Sequence, residues 1–377
     1  MKRLSNMGFV CGLLLLAVLF AACGGGDTNS SATNTGPIDT STPATILSTP
    51  LPSITATGNF REYPLPQSDS GMMRPAIDHE GRIWFGEMNQ NYLAVFDPRT
   101  QHFQQMVPPR GRGGIMGILV APDDTIWFAE QYADYIGHYF PHTGQYQVYN
   151  LPSLTVPDPS NPGQTLTLPS APNDIALDAH GKVWFTEMNA DSLGKLDPHT
   201  GVTQQYPISS SKSVQQLDPY GVTVDPKGMV WFTEASTDHV GRLDPSTGKI
   251  DFFTMSGPTV PLMEIVSDTH GTIWITSFNA GLLLSLNPQS GVFTPYYAPH
   301  TGNSAGGIYG LVISPEGEIW ITMSAENTIA RLDVAANHFV LYPIPTSSSL
   351  PLGVVMGANH TLWFTESGKD KIGMLQP

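Results

Sequence analysis

Thiols are almost missing from this chain. Its 377 residues include two cysteines, Cys11 and Cys23, so no disulfide framework or metal–thiolate cluster holds the bulk of it together. Charge is scarce too. Only 13% of residues are Asp, Glu, Lys or Arg, and 17 basic residues face 32 acidic ones, for a net charge of -15. That balance argues against long charged helices and against a basic surface for phosphate, so no nucleic-acid partner is expected. The apolar run at residues 10–20 is too short to span a bilayer comfortably. Turn formers are abundant instead. With 37 Gly and 33 Pro, the chain reads as many short strands joined by tight turns, an all-β protein.

The first 22 residues read as an export signal, with Lys2 and Arg3 as the positive end and residues 10–20 as its apolar stretch. Leu19-Phe20-Ala21-Ala22-Cys23 resembles a bacterial lipobox. The resemblance implies cleavage before Cys23 and lipidation of that residue. Residues 23–58 are rich in Ser, Thr, Gly and Pro and carry Asp27 and Asp39 as their main charges. They bury too little apolar surface to fold, and read as a tether. The folded domain is then expected over residues 59–377, outside the cytoplasm, held in the bacterial envelope through lipid alone. It would be a monomer without a thiol.

All seven tryptophans stand in one phrase. Trp84, Trp127, Trp184, Trp231, Trp274, Trp320 and Trp363 each follow a β-branched or aliphatic residue and precede Phe or Ile. Their spacings are 43, 57, 47, 43, 46 and 43 residues, the mark of one supersecondary unit written seven times. The copy around Trp231 divides into four strands, 220–225, 229–234, 239–244 and 249–255, with Pro226-Lys227-Gly228 and Pro245-Ser-Thr-Gly248 as turns. Four strands in about 43 residues fit a blade of a β-propeller. The chain opens on a lone fourth-strand phrase at 60–66 and its last copy stops after a third strand at 371–375. Pairing those ends makes seven complete blades and leaves no edge at the seam. The 57-residue spacing comes from an insert at 153–170, whose segments 155–156 and 165–168 are expected to pair as a hairpin at the mouth of the central channel.

The phrase Val-Trp-Phe-Thr-Glu at 183–187 and 230–234, followed by Gly-Lys/Arg-Leu-Asp-Pro-x-Thr-Gly at 194–201 and 241–248, resembles the streptogramin lyase (virginiamycin B lyase) family. Leu-Trp-Phe-Thr-Glu at 362–366 with Ile372-Gly373 carries the same likeness. The resemblance covers roughly residues 59–377 and implies a seven-bladed propeller. In the lyases it also implies a magnesium-assisted elimination that opens a cyclic depsipeptide ester. The family keeps its working histidines eleven residues before the blade tryptophan. In this chain that ring is Met73, Met116, Asn173, Tyr220, Met263, Tyr309 and Leu352. None is His. Around Tyr220, Asp218 stands where a family carboxylate would be, but an ordinary tyrosine ionises near pH 10 and is a poor base.

The ring of Met, Tyr, Asn and Leu reads in two ways. It forms a soft, mostly apolar rim suited to an amphipathic small molecule or peptide, or it plugs the channel. The residual catalytic candidates are Asp218, Tyr220 and Glu234. Glu87, Glu130, Glu187, Glu234 and Glu366 all lie three residues after a blade tryptophan. Glu187, Glu234 and Glu366 are the candidates for holding Mg²⁺ through hard oxygens. The structural alternative has each Glu accepting backbone N–H bonds in or next to its own blade. His79, His180, His270 and His360 fall one per blade at the turn after the first strand and read as turn residues. Ser304 matches a nucleophile-elbow spacing but lacks the helix that motif needs. Arg110 and Arg112 read as a solvated loop. Another envelope protein remains the alternative partner.

Overall fold

The tryptophan phrase becomes the second strand of every blade. The computed structural model describes residues 49–110, 114–157, 161, 163–208, 217–255, 260–300 and 307–377. The segments read as an export signal and a lipobox, and Ser304, lie outside them. Each of the seven sheets is antiparallel through its four blade strands. The blades begin at Met72–Ile77, Ile115–Val120, Pro172–Leu177, Pro219–Val224, Ile265–Ser267, Ile308–Ile313 and Pro351–Met356. These first strands lie side by side around the centre, and that of blade 7 lies against that of blade 1. The result is a closed seven-bladed β-propeller.

Closure follows the expected route. Asn59–Pro64 pairs antiparallel with Lys371–Gln376 and supplies the fourth strand of blade 7. The insert also folds as expected, with Leu154–Pro157 antiparallel to Thr165–Leu168. Its two ends are pinned to one carboxylate, since the hydroxyls of Ser153 and Ser170 donate to Asp134 at 3.2 and 2.9 Å.

The reading of residues 23–58 as tether changes at its end. Ser53–Thr55 adds a parallel fifth strand to the outer edge of blade 6, in register with Phe339, Val340 and Leu341. The backbone on either side is fixed too, because Leu51 N–H donates to Tyr297 in blade 5 and Ala56 N–H to Leu341. Composition missed this because the segment buries little. What it offers is backbone, and an outer strand has a row of open N–H and C=O groups to meet it.

The hydrophobic core lies between blades. Trp231 packs among Ile265, Ile273 and Leu284 of the next blade, and Trp363 among Phe85 and Phe96 across the seam. Four of the seven indoles also donate to an aspartate six residues earlier: Trp84 to Asp78, Trp184 to Asp178, Trp231 to Asp225 and Trp274 to Asp268, at 2.8–3.2 Å. The other oxygen of each Asp gathers turn N–H groups. His180 and His270 stand in those turns as backbone donors, as their positions indicated. His79 and His360 are turn residues too, and pair with Asp124 and Glu316.

Candidate functional site

Six of the seven first strands break register at one place. In blades 1, 2, 3, 4, 6 and 7 the pairing slips between the residues twelve and nine positions before the tryptophan. The two residues in the slip form a bulge, which takes them out of the ladder and re-aims their side chains. Their freed backbone groups need partners, and a threonine two residues after the tryptophan supplies both. The hydroxyl of Thr233 accepts from Gly221 N–H in its own blade at 2.9 Å and donates to the Met263 carbonyl of the next. Thr186, Thr276, Thr322 and Thr365 repeat the arrangement. Five hydroxyls therefore stitch five blade junctions. Blades 1 and 2 carry Gly86 and Ala129 at this position.

The ring eleven residues before the tryptophans is buried throughout. Met73, Met116, Asn173, Tyr220, Met263, Tyr309 and Leu352 are each at most 8% exposed. Asn173 donates to the Tyr220 carbonyl at 2.9 Å, and the hydroxyls of Tyr220 and Tyr309 meet at 2.6 Å across the axis. Burial holds the Tyr220 hydroxyl protonated, moving its pKa up to about 12. The ring is thus packed side chain against side chain at the start of the first strands.

The residues ten before the tryptophans were not singled out from sequence, and they carry the charge. Four are glycine: Gly117, Gly221, Gly310 and Gly353. A Cβ on any of them would run into backbone of the following blade. The other three are Arg74, Asp174 and Glu264. Arg74 reaches from blade 1 across the axis to Glu264 of blade 5 (Nη2–Oε1 2.6 Å, Nε–Oε2 3.0 Å) and lies 3.6 Å from Asp174 of blade 3. Its guanidinium sits 5.2 Å from the ring centre of Tyr220 and 6.0 Å from that of Tyr309. Its Nη1 donates to the Met116 carbonyl at 3.3 Å, the acceptor left open because blade 1 has Gly86 in place of threonine. Burial disfavours the charge, but Asp174 and Glu264 outweigh it and hold the Arg74 pKa well above its usual value. Burial raises Glu264 despite Arg74. A sequence signal for this cluster existed: three charged residues at a position that is otherwise glycine, inside strands that are otherwise apolar.

The other candidates are held apart. Asp218 sits on the rim with φ of 52° and accepts from the Ser236 hydroxyl. Glu234 is engaged within its own blade, accepting from Thr237 in the turn after its strand at 2.6 Å and pairing with His239 at 3.3 Å. Glu187 accepts from Ser192 and Gln205, Glu87 from Gln105, and Glu130 from Tyr135. In four of the five blades the expected backbone N–H partners are therefore replaced by side chains, from the turn after the second strand or from the third and fourth strands. Desolvation raises the pKa of Glu130 to about 8 and that of Glu366 to about 7. Glu187, Glu234 and Glu366 stay in separate blades, and among the described residues no three His, Cys, Asp or Glu side chains converge on one point. Arg110 lies over the Tyr135 ring at 5.7 Å, and Arg112 falls outside the described residues. Near the turns at the other end of the strands, a recess of about 290 Å³ is lined by Leu177, Val224, Pro226 and Ser267 with Asp225 and Asp268. Both aspartates are already bonded to indoles.

Comparison with known proteins agrees with this architecture. Residues 208–377 match the Virginiamycin B lyase family model. The virginiamycin B lyase of Staphylococcus aureus superposes with a TM-score of 0.72 at 24% identity, over 85% of this chain and 99% of that one. A catalytically inactive form of that lyase with quinupristin aligns equally well. The extracellular domain of a protein described as a hybrid two-component system from B. thetaiotaomicron matches at a TM-score of 0.61 and 18% identity, over 82% of this chain and 40% of that one. Kuenenia stuttgartiensis hydrazine synthase matches at 0.65 and 12%, over 83% and 97%. No curated protein matches by sequence.

Proposed function

We propose that this chain is an extracytoplasmic, lipid-anchored propeller that binds an amphipathic small molecule or peptide on the face where the first strands begin. On this reading it does not perform the elimination of the lyases it resembles. The supporting observation is the axial ring. Where those lyases keep histidines, this chain has buried Met, Tyr, Asn and Leu, and Arg74 with its two carboxylates lies beside them. Proton abstraction needs a base whose pKa lies near the working pH. Tyr220 holds its proton to about 12, while Asp218 and Glu234 are engaged with Ser236, Thr237 and His239. The likeness to an extracellular domain and the Cys23 motif support a place outside the cytoplasm.

The competing reading is Mg²⁺-assisted C–O elimination on a streptogramin B-type cyclic depsipeptide. Incubating the purified chain with quinupristin, with and without Mg²⁺, separates the two. Chromatography is expected to recover the cyclic compound unchanged, and titration calorimetry to show binding that weakens when Met263 or Met116 is changed to Ala. A linear product that disappears with EDTA would establish the enzyme instead. Unchanged affinity in both methionine variants would move the site elsewhere.

A further inference from the structure

The groups around Arg74 have the composition of a receptor. Two carboxylates, Asp174 and Glu264, approach the guanidinium from blades 3 and 5. The faces of Tyr220 and Tyr309 come from blades 4 and 6, and a carbonyl oxygen, that of Met116, from blade 2. A planar cation wants these partners: bidentate oxygens in its plane and aromatic faces beside it. None of the five comes from the blade that supplies Arg74. The walls are built independently of their occupant. Gly353 leaves room where a Cβ would strike the Arg74 backbone, and Val222 N–H holds Asp174 in place at 2.9 Å. The tyrosine hydroxyls hold each other. The walls also set two acids against one guanidinium.

We propose that the propeller axis is a guanidinium-binding cage and that Arg74 is its built-in ligand, closing to outside cations a site that would otherwise take a guanidinium group. The occupant and the cage are then separable. Shortening the side chain removes the ligand and leaves walls assembled from five other blades. The vacated site selects a flat, forked cation over a spherical one, because Glu264 meets Arg74 through two nitrogens and the rings of Tyr220 and Tyr309, set edge to face, lie beside the guanidinium.

The test is chemical rescue of Arg74→Ala in the full chain, read by thermal unfolding. Guanidinium chloride is added at low millimolar concentration, far below the molar range in which it denatures. Sodium chloride at equal ionic strength, ammonium chloride and urea serve as controls. Arg74→Ala is expected to melt well below the native chain. Guanidinium at about ten times its dissociation constant should raise that midpoint saturably by about 2 °C, while the controls and the native chain stay flat. Adding Glu264→Gln to Arg74→Ala should abolish most of the response. If Arg74→Ala does not fold alone, the same series is scored as folded yield on dilution from urea, with guanidinium alone expected to restore it. A response equal for guanidinium, ammonium and sodium would reduce the effect to general screening and overturn the cage. So would a response that survives Glu264→Gln, or no response at all.

Discussion

Thr233 shows how much one hydroxyl does in this ring. It serves a donor in its own blade and an acceptor in the next, and both groups are buried. Thr233→Val keeps the shape and strands both. Each unsatisfied buried group costs about 1–3 kcal/mol, so the variant is expected to lose about 2–4 kcal/mol in urea denaturation with an unchanged m-value. Thr233→Ser should recover most of it; a Thr233→Val variant as stable as the native chain would show that the hydroxyl does not hold the junction. The natural chain has run the deletion at two junctions. Blade 1 carries Gly86, and Arg74 takes over the open Met116 carbonyl. Blade 2 carries Ala129, whose side chain is fully buried.

At the scale of strands, most of the architecture could be read from the tryptophan phrase, because a bulky residue at one phase of a repeat marks one strand of one unit. Blade number, the closing strand and the hairpin in the insert all follow from it. The charged cluster did not, for a physical reason. Side chains in a regular strand alternate in direction, so once the eleventh residue before a tryptophan is placed at the axis, the tenth is placed away from it. The bulge breaks that alternation and brings Arg74 to the axis beside its neighbour. The strand at Ser53–Thr55 was hidden for another reason: it pairs through backbone, which leaves no pattern in side chains. The insert, by contrast, is separable from the ring. Its ends converge on Asp134, so replacing residues 154–168 with a short Gly-Ser link should leave the melting temperature within about 2 °C of the native value. A large loss would show that the hairpin braces blades 2 and 3.

The whole molecule should be sensitive to alkali. Glu130 has its pKa raised by burial to about 8 and Glu366 to about 7, with Glu87 and Glu187 also raised. A carboxyl whose folded pKa lies above its unfolded one holds more protons in the native state. Stability therefore falls as pH climbs from the unfolded value toward the folded one. His138 works at the acid end. It is stacked on Trp127 with ring centres 3.7 Å apart, and burial lowers its pKa to about 4. Its neutral form is the native one, and its contribution is lost as pH falls from the usual histidine value toward 4. The free energy of unfolding should fall between pH 6.5 and 8, by on the order of 2 kcal/mol for Glu130 alone, and the thermal midpoint with it. Glu130→Gln should flatten that limb; an unchanged slope would acquit Glu130. The same ring has a mechanical side. Residues 53–55 are laced to blade 6 before the chain reaches the closing strand at 59–64 in blade 7. Tension applied through the N-terminal segment meets that lacing first and is borne by an accessory strand. The seam that keeps seven blades in a circle lies behind a strain relief, so a pull on the chain ahead of residue 53 would load the accessory strand before it could unzip the ring.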